Sequence, residues 1–125
     1  MTAHDIYTVA GDGTHGFSGD GGPASKAALS FPFGAGVDGA GNLLIADSFN
    51  RRVRVVAAAT GTFYGQAMTV GAIYTIAGNG TAGFAGDGGP ATSAELGLPE
   101  AAVTDPAGDV LISDTGSNRI REVAG

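Results

Sequence analysis

Residues 38–54 read Asp-Gly-Ala-Gly-Asn-Leu-Leu-Ile-Ala-Asp-Ser-Phe-Asn-Arg-Arg-Val-Arg, and residues 105–121 read Asp-Pro-Ala-Gly-Asp-Val-Leu-Ile-Ser-Asp-Thr-Gly-Ser-Asn-Arg-Ile-Arg. The second stretch repeats the first at an offset of 67 residues (105 − 38). The match extends without gaps from 6–56 onto 73–123, where 28 of the 51 aligned positions are identical. An ungapped match of this length is an internal repeat. The chain is therefore predicted to contain two copies of one structural unit.

The composition favours a turn-rich, all-β protein. The 125 residues include 23 Gly, six Phe and three Tyr, with no Trp. Many short Val, Ile and Leu runs lie between the glycines, which is typical of strands joined by tight turns. A hydrophobic content of 43% argues against a disordered chain. The absence of Cys excludes disulfides and thiolate chemistry.

The charge distribution restricts the partners. The formal net charge is −6 and the pI is about 4.5, whereas nucleic-acid binding requires a basic stripe. There is no polybasic patch for a membrane surface, and no apolar run approaches the ~18 residues of a membrane span. Residues 1–5 lack the basic and apolar segments of a signal peptide. We expect neither nucleic acid nor a membrane as a partner, and the localisation stays open.

Residues 1–72 are predicted to form the first unit, in which short strands alternate with turns. Its first strand is a β-branched and aromatic run ended by Gly. A long loop with apolar anchors follows, and the sequence Gly-Asp-Gly-Gly-Pro within it is a turn signature. The predicted ranges are an outer strand at 6–10, a loop at 11–32, strands at 34–38, 43–47 and 51–57, and a connector at 58–72 that can extend as a hairpin arm.

Residues 73–125 are predicted to repeat this order as the second unit. The predicted ranges are an outer strand at 73–77, a loop at 78–99, and strands at 101–105, 110–114 and 119–124. Short strands joined by turns form an antiparallel meander. A four-stranded meander repeated at this period is the blade of a β-propeller.

The repeated pattern resembles a known family. The motif Asp-x-x-Gly-Asn/Asp-Leu/Val-Leu-Ile-Ala/Ser-Asp-Ser/Thr-x-x-x-Arg-Val/Ile-Arg at 38–54 and 105–121 resembles the NHL repeat. The glycine-rich segments 11–24 and 78–91 are similar to those of extended NHL repeats in bacterial extracellular proteins. Phe49 departs from the Gly of many repeats, and Glu122 departs from the Val of the first copy. The resemblance implies a propeller, usually of six blades, and a secreted or extracellular bacterial parent.

Two blades cannot close a ring, because propellers close with about four to eight blades and unpaired sheet edges aggregate. The chain begins with an outer strand and ends on a third strand. We therefore expect 6–10 of one copy to complete the blade at 101–124 of the next, in a head-to-tail contact that closes with three chains. The alternative is a monomer with frayed ends. The phase also suggests an excised or engineered fragment. The strand-exchange residues are Ile6, Tyr7, Thr8, Val9, Arg119, Ile120, Arg121 and Val123.

Four residues are candidates for a ligand or partner face. Asp47 and Asp114 end the second strand of each unit, where a ring of carboxylates could bind a cation or a basic ligand. The alternative, favoured by their identical placement, is that each accepts backbone N–H bonds in the following turn. Glu100 precedes an inner strand and could meet its symmetry copies near the axis. Phe49 has no counterpart in the second copy and is a candidate exposed contact.

The remaining polar clusters have structural explanations. Asp20 and Asp87 lie in turn sequences that lack the spaced ligands of an EF-hand and the Gly-Lys-Ser/Thr of a phosphate loop. His15 and Ser18 lie near Asp20 as in a catalytic triad, but the second copy replaces both with Ala. Arginines of the third strands either form a basic girdle or are solvated side chains that pair with Asp or cover apolar surface with their stems, and Arg52 and Arg119 could reach Asp47 and Asp114. Loop apolar residues are expected to pack between blades: Phe17, Leu29, Phe31, Phe84, Leu96 and Leu98.

The sequence therefore favours a non-catalytic scaffold or binding module with no cofactor and with itself as partner. Two alternatives stay open. Some NHL-like propellers are lyases, which implies acidic or His side chains in the axial channel, and here only Glu100 qualifies. A carbohydrate-binding propeller requires stacking aromatic side chains.

Overall fold

The computed structural model describes all 125 residues, which form nine β-strands and four 3-10 turns and no α-helix. Every strand pairing is antiparallel, so the predicted all-β class is confirmed. No helix is present that could cross a bilayer. The strands are β1 (Pro32–Val37), β2 (Leu43–Asp47), β3 (Arg52–Val56), β4 (Gly61–Phe63), β5 (Gln66–Met68), β6 (Ile73–Ala77), β7 (Pro99–Thr104), β8 (Val110–Asp114) and β9 (Arg119–Val123).

The strands form two meanders that follow the repeat. The first sheet has the order β1-β2-β3-β6, and the second sheet has the order β7-β8-β9. The hairpin β4–β5 lies in the connector between β3 and β6. Strands β2, β6 and β8 have the predicted bounds. Strands β1 and β7 begin two residues earlier than predicted, because a β-bulge after Pro32 and after Pro99 lets each ladder continue. Strand β3 begins at Arg52, because the left-handed Arg51 (φ +56°) still belongs to the turn.

The strand predicted at 6–10 is not a strand in this chain. Residues 6–10 are in none of the ladders, and Ile6 is 98% exposed. A strand exists through its hydrogen-bonded neighbour, and this segment has none within its own chain. Its repeat partner, β6, pairs with β3 through four registered residue pairs. The sequence of 6–10 is that of a strand, but the segment can form one only if another chain provides a strand to pair with.

Aspartates define the hairpin turns at one end of both sheets. Asp38 Oδ1 accepts hydrogen bonds from the backbone N–H groups of Ala40 (2.9 Å) and Asn42 (2.8 Å). Asp105 Oδ1 accepts the equivalent bonds from Ala107 (2.9 Å) and Asp109 (3.0 Å). An Asp at the first position of a turn stabilises it by such bonds. The β1–β2 and β7–β8 connections are therefore the same type of turn, stabilised by the same Asp hydrogen bonds.

The two sheets pack face to face, with the first strand of each, β1 and β7, in contact. Gly34 and Gly36 of β1 lie directly against the carbonyl groups of Glu100 and Ala102, and a Cβ there would stand 2.5 and 3.0 Å from those oxygens. Only glycine permits this approach. The core between the sheets consists of Leu44, Val53, Val55, Ala57, Met68, Ile76, Ala77, Leu96, Ala102, Val110 and Ile112.

The β4–β5 arm reaches back to the first hairpin turn. The hydroxyl of Tyr64 donates a 2.6 Å hydrogen bond to Asp38 Oδ2. Partial burial opposes ionisation of Asp38, but the bonds donated by Tyr64 and Asn42 and by the backbone lower its pKa below the usual value. Burial, then the hydrogen bond to Asp38 and its charge, raise the pKa of Tyr64 well above that of a free phenol. The arm is thus fastened by a charge-assisted bond.

Candidate functional site

An ion-pair network centred on a buried arginine joins the long loop 11–32 to the first sheet. The Arg54 side chain is fully buried and donates to Asp20 Oδ1 (2.8 Å) and Asp47 Oδ2 (3.3 Å). It also donates to the carbonyl oxygens of Ala28 (2.9 Å) and Ser18 (2.7 Å). A guanidinium offers several donors in a fixed plane, which suits it to such a junction. Arg54 therefore holds the loop, the turn and the strand together.

The second unit repeats this network, but its loop carboxylate, Asp87, is exposed to solvent. Arg121 donates to Asp87 Oδ1 (3.0 Å) and Asp114 Oδ2 (3.5 Å). The Asp87 side chain is 69% exposed, against 36% for Asp20. The difference arises because Thr75 of β6 donates a 2.6 Å hydrogen bond to Asp20 Oδ2, and no residue does so for Asp87.

Asp47 and Asp114 are not available to a ligand. Both are fully buried. Asp47 Oδ1 accepts a hydrogen bond from the backbone of Ser30 (2.8 Å), and Asp114 Oδ1 accepts bonds from Gly97 (2.8 Å) and Leu98 (3.1 Å). The backbone donors come from the preceding long loop, so the prediction that they lie in the following turn is wrong. Both carboxylates fasten the loops, and the proposed ring of ligands is not formed.

Arg52 and Arg119 do not reach these aspartates, contrary to the sequence prediction. The Arg52 guanidinium carbon lies 3.7 Å above the ring of Phe17, and that of Arg119 lies 3.6 Å above Phe84. Such cation–π stacking holds a guanidinium over an aromatic face. The first arginine of each strand therefore stacks on a Phe ring, and it is the second arginine that binds the buried aspartate. The two rings are 42% and 40% exposed, so they are platforms for arginine and do not pack between the sheets.

His15, Ser18 and Asp20 make separate contacts. Ser18 Oγ accepts a hydrogen bond from Ala28 N (3.0 Å), while Asp20 belongs to the Arg54 network. The His15 ring packs edge-on against Phe31 with centroids 5.4 Å apart. No triad geometry results. No group of three or more His, Asp or Glu side chains that could hold a metal ion occurs in the chain.

An exposed aromatic patch formed by Phe31, Phe33 and Phe49 lies at the loop end of the first sheet. The ring centroids are 4.5 to 6.3 Å apart, and each side chain is about half exposed. Phe31 holds a left-handed conformation at φ +52°, which a non-glycine residue adopts at an energetic cost. Phe49 is exposed, as the sequence predicts. The sequence did not identify Phe31 and Phe33 as its neighbours. The available signal was the difference between the two units, since the counterparts Leu98 and Glu100 are not aromatic.

Glu100 stands alone in this chain. Its side chain is partly buried on β7, makes no hydrogen bond and no ion pair, and occupies the position equivalent to Phe33. The carboxylate cluster expected of it requires further copies of the chain.

The outer edge of β9 is open. In the first sheet the outer edge of β3 is hydrogen-bonded to β6, whereas β9 is the last strand of its sheet and has no such neighbour. The face of this sheet that points away from the first sheet is also uncovered, since Ile120 of β9 is 70% exposed there, whereas its counterpart Val53 is fully buried between the sheets. A groove beside β9 is lined by Asp87, Arg121 and Glu122, among others.

Comparison with known proteins supports the fold. No known protein-family model matches the sequence, and no curated protein sequence matches it. Among solved structures, an auxiliary nutrient binding protein from Bacteroides thetaiotaomicron is similar over 93% of this chain, with a TM-score of 0.65 and 22% identity. A candidate phosphatase from the same bacterium is similar over 93% of the chain, with a TM-score of 0.64 and 19% identity. The chain spans 28% and 26% of their lengths, about a quarter of each. This likeness shows a shared all-β fold.

Proposed function

We propose that the chain is a non-catalytic β-propeller module of the NHL type, whose two blades assemble head to tail with copies of itself. Three chains complete a six-bladed ring. The observation that carries this proposal is the open edge of β9 together with the exposed segment 6–10, which repeats β6 in four of five residues. A second copy supplies the missing fourth strand of each second sheet.

The first sheet provides an atomic template for this contact. The backbone of Ile73 accepts a hydrogen bond from Gly21 N (2.7 Å) and donates one to Gly22 O (3.0 Å). The counterparts of these glycines, Gly88 N and Gly89 O, make no such bonds in the single chain. Ile6 of a second copy can make both. Thr8, which repeats Thr75, can then donate to the exposed carboxylate of Asp87 as Thr75 does to Asp20.

The leading segment already has the conformation that precedes β6. Thr2 N donates to Tyr7 Oη (2.9 Å), and Thr69 N donates to Tyr74 Oη (2.8 Å) in the same way. His4 has φ +70°, close to the +79° of its counterpart Gly71. A preorganised segment loses less conformational entropy on binding. Docking of 6–10 therefore requires little rearrangement.

The distribution of charged groups favours a scaffold over an enzyme. The buried carboxylates and their arginines are used in holding the loops, and the His15 cluster has no triad geometry. The lyase-like alternative depends on Glu100 alone. The aromatic patch supports a binding role, and the similar structure named as a nutrient binding protein accords with one. A carbohydrate ligand stays the second candidate, because three exposed Phe rings can stack.

The mass in solution tests the assembly. Native mass spectrometry at micromolar concentration should show three times the chain mass (3 × 12.2 kDa). Deletion of residues 1–10 should leave single chains, while the Phe49→Gly variant, altered away from the edge, should keep the trimer. A single-chain mass for the unaltered protein would overturn the proposal.

A further inference from the structure

The face of the second sheet that points away from the first sheet is not a copy of its counterpart. The first sheet presents Gly34, Gly36 and Val55 to its neighbour. The offset of 67 places other residue types on the equivalent face, namely Ala101, Val103 and Glu122. We call these three positions the outer face of the second sheet. What they imply rests on the self-assembly proposed above.

The junction inside the chain depends on the two glycines. A Cβ on Gly34 would stand 2.5 Å from the carbonyl oxygen of Glu100, and one on Gly36 would stand 3.0 Å from that of Ala102. Carbon and carbonyl oxygen atoms in proteins do not normally approach closer than about 3.3 Å. The inner strands β1 and β7 can therefore approach this closely only because neither glycine has a side chain.

The outer face carries the side chains that this approach excludes. Val103 is 53% exposed, and Ala101 is partly buried. If a second copy docked with the geometry of the internal junction, the carbonyl groups of its Phe33 and Ala35 would overlap these Cβ atoms. The inner strands of the two copies must stand farther apart.

Glu122 has the same consequence nearer the outer edge. Its counterpart Val55 is fully buried in the core between the sheets. A carboxylate enclosed in such a core is strongly unfavourable without a partner or water. Glu122 makes no ion pair in this chain. The contact between copies has to leave water, or supply a basic group of the second copy, at this carboxylate.

One contact of the internal junction can be kept. Ser48 Oγ donates to the carbonyl oxygen of Pro99 across the two sheets. The counterpart of Ser48 is Thr115, which retains the hydroxyl, and Pro32 repeats Pro99. The copies can therefore meet at this turn while their inner strands stay apart.

We infer that the outer face of the second sheet docks the first sheet of a second copy through a wider, hydrated junction. The junctions within a chain and between chains are not equivalent. Around the ring a close apolar junction alternates with an open polar one, and the ring dissociates at the open one.

Grafting the first sheet's residues onto the outer face tests this. The triple variant Ala101→Gly, Val103→Gly, Glu122→Val should lower the dissociation constant of the assembly at least tenfold, measured by dilution in analytical ultracentrifugation. Thr62→Val, which adds an exposed apolar group on the β4–β5 arm, should leave it unchanged. Thermal unfolding of each variant checks that the sheet persists.

The outcomes separate the two proposals. If the unaltered chain assembles but the folded triple variant assembles no more tightly, or more weakly, the inference is overturned and the self-assembly stands. A single-chain mass for the unaltered protein would overturn the self-assembly and the hydrated junction with it, even if the triple variant formed a trimer. Single chains in both would overturn both.

Discussion

The guanidinium of Arg54 and the carboxylate of Asp47 form an ion pair from which solvent is excluded, with NH1 3.3 Å from Oδ2 and both side chains fully buried. Such a pair is stabilising only while both partners and their further hydrogen bonds are present. Here the remaining bonds come from the long loop, through Ser18, Ala28 and Ser30. The pair therefore fixes where the loop lies on the sheet.

Replacing Arg54 should be severe. Arg54→Met leaves the Asp47 carboxylate buried without a counter-charge, which costs about 3–5 kcal/mol of unfolding free energy. Urea denaturation followed by circular dichroism measures it. The matched variant Arg121→Met also leaves a buried carboxylate, Asp114, without its counter-charge, but it should cost less under conditions where the chain is single, because the Arg121 side chain is 9% exposed and its contact with Asp114 is longer (3.5 Å against 3.3 Å). Equal losses for single chains would show that burial does not set the strength of these pairs.

The Tyr64–Asp38 bond should make stability depend on pH at both extremes. Tyr64→Phe removes a bond to a charged group worth roughly 1 kcal/mol at this partly exposed site. The pKa of Asp38 is lowered by folding, so its contribution is present above about pH 4 and is lost as the pH falls through the folded-state pKa. The pKa of Tyr64 is raised, so its contribution is present below about pH 10 and is lost as the pH rises through the folded-state pKa. The difference in Tm between the two proteins should be largest from about pH 5 to 9. A difference independent of pH would show that the bond is not coupled to either ionisation.

Two equivalent glycines should respond differently to the same change. Gly78 (φ +88°) and Gly11 (φ +91°) both have a left-handed backbone conformation. An alanine there would lower the unfolding free energy by roughly 1–2 kcal/mol through backbone strain alone. A Cβ on Gly78 would also overlap the carbonyl oxygen of Arg51, whereas one on Gly11 meets only the flexible Leu29 side chain at 3.3 Å. Gly78→Ala should therefore lower the unfolding free energy by more than about 3 kcal/mol. Gly11→Ala should fold but lose the assembly, because a second copy would bring Asn118 to the place that Arg51 has beside Gly78. If Gly11→Ala kept the mass of the trimer, segment 6–10 would not dock on a second copy in the way that β6 docks in the first sheet.

The aromatic patch should be dispensable for folding. Its members are replaced by non-aromatic residues in the second unit, whose sheet forms without them. Phe33→Glu with Phe49→Gly, which installs the residues of the second unit, should change the unfolding free energy by less than about 1 kcal/mol. Binding of the fluorescent probe 1-anilinonaphthalene-8-sulfonate should fall at the same time. A large loss of stability would show that the patch is part of the core.

The sequence predicts the strand order because each strand carries its own pattern. The apolar runs at 43–47 and 110–114 and the β-branched run at 73–77 have the observed bounds, since their ends are marked by turn residues. The long loops lack such a pattern. Their position depends on distant contacts, and for that reason Arg54 was not recognised as the partner of Asp47, although Asp20 and Arg54 recur together as Asp87 and Arg121.

The aromatic patch and the segment 6–10 show two further limits of prediction from the sequence. Phe31 and Phe33 meet Phe49 only after β1 and β2 pair, so their adjacency does not follow from spacing along the chain. The segment 6–10 has a strand's composition but no neighbour in the chain. Composition describes what a segment can form, and the ladder partner decides whether it does.

The hydroxyl of Thr8 provides the most local test of strand exchange. In the first sheet the equivalent Thr75 donates a 2.6 Å hydrogen bond to Asp20, beside Arg54. A hydrogen bond to a charged acceptor contributes about 1.5 kcal/mol, which corresponds to a change of about tenfold in a binding constant. Thr8→Val keeps the shape and β-propensity of the side chain but removes the donor, so the dissociation constant of the assembly should rise about tenfold at each junction.

Thr14→Val is the matched control for this change, because the Thr14 side chain is exposed and makes no hydrogen bond. It should leave the dissociation constant unchanged, and both variants should unfold at the temperature of the unaltered single chain. Since Thr8 is exposed and its hydroxyl makes no hydrogen bond in the single chain, any effect confined to assembly has to arise from a group on another copy. Assembly of Thr8→Val as tight as that of the Thr14→Val control would show that Asp87 does not receive Thr8, and the strand registered on β9 would then have to be a different one.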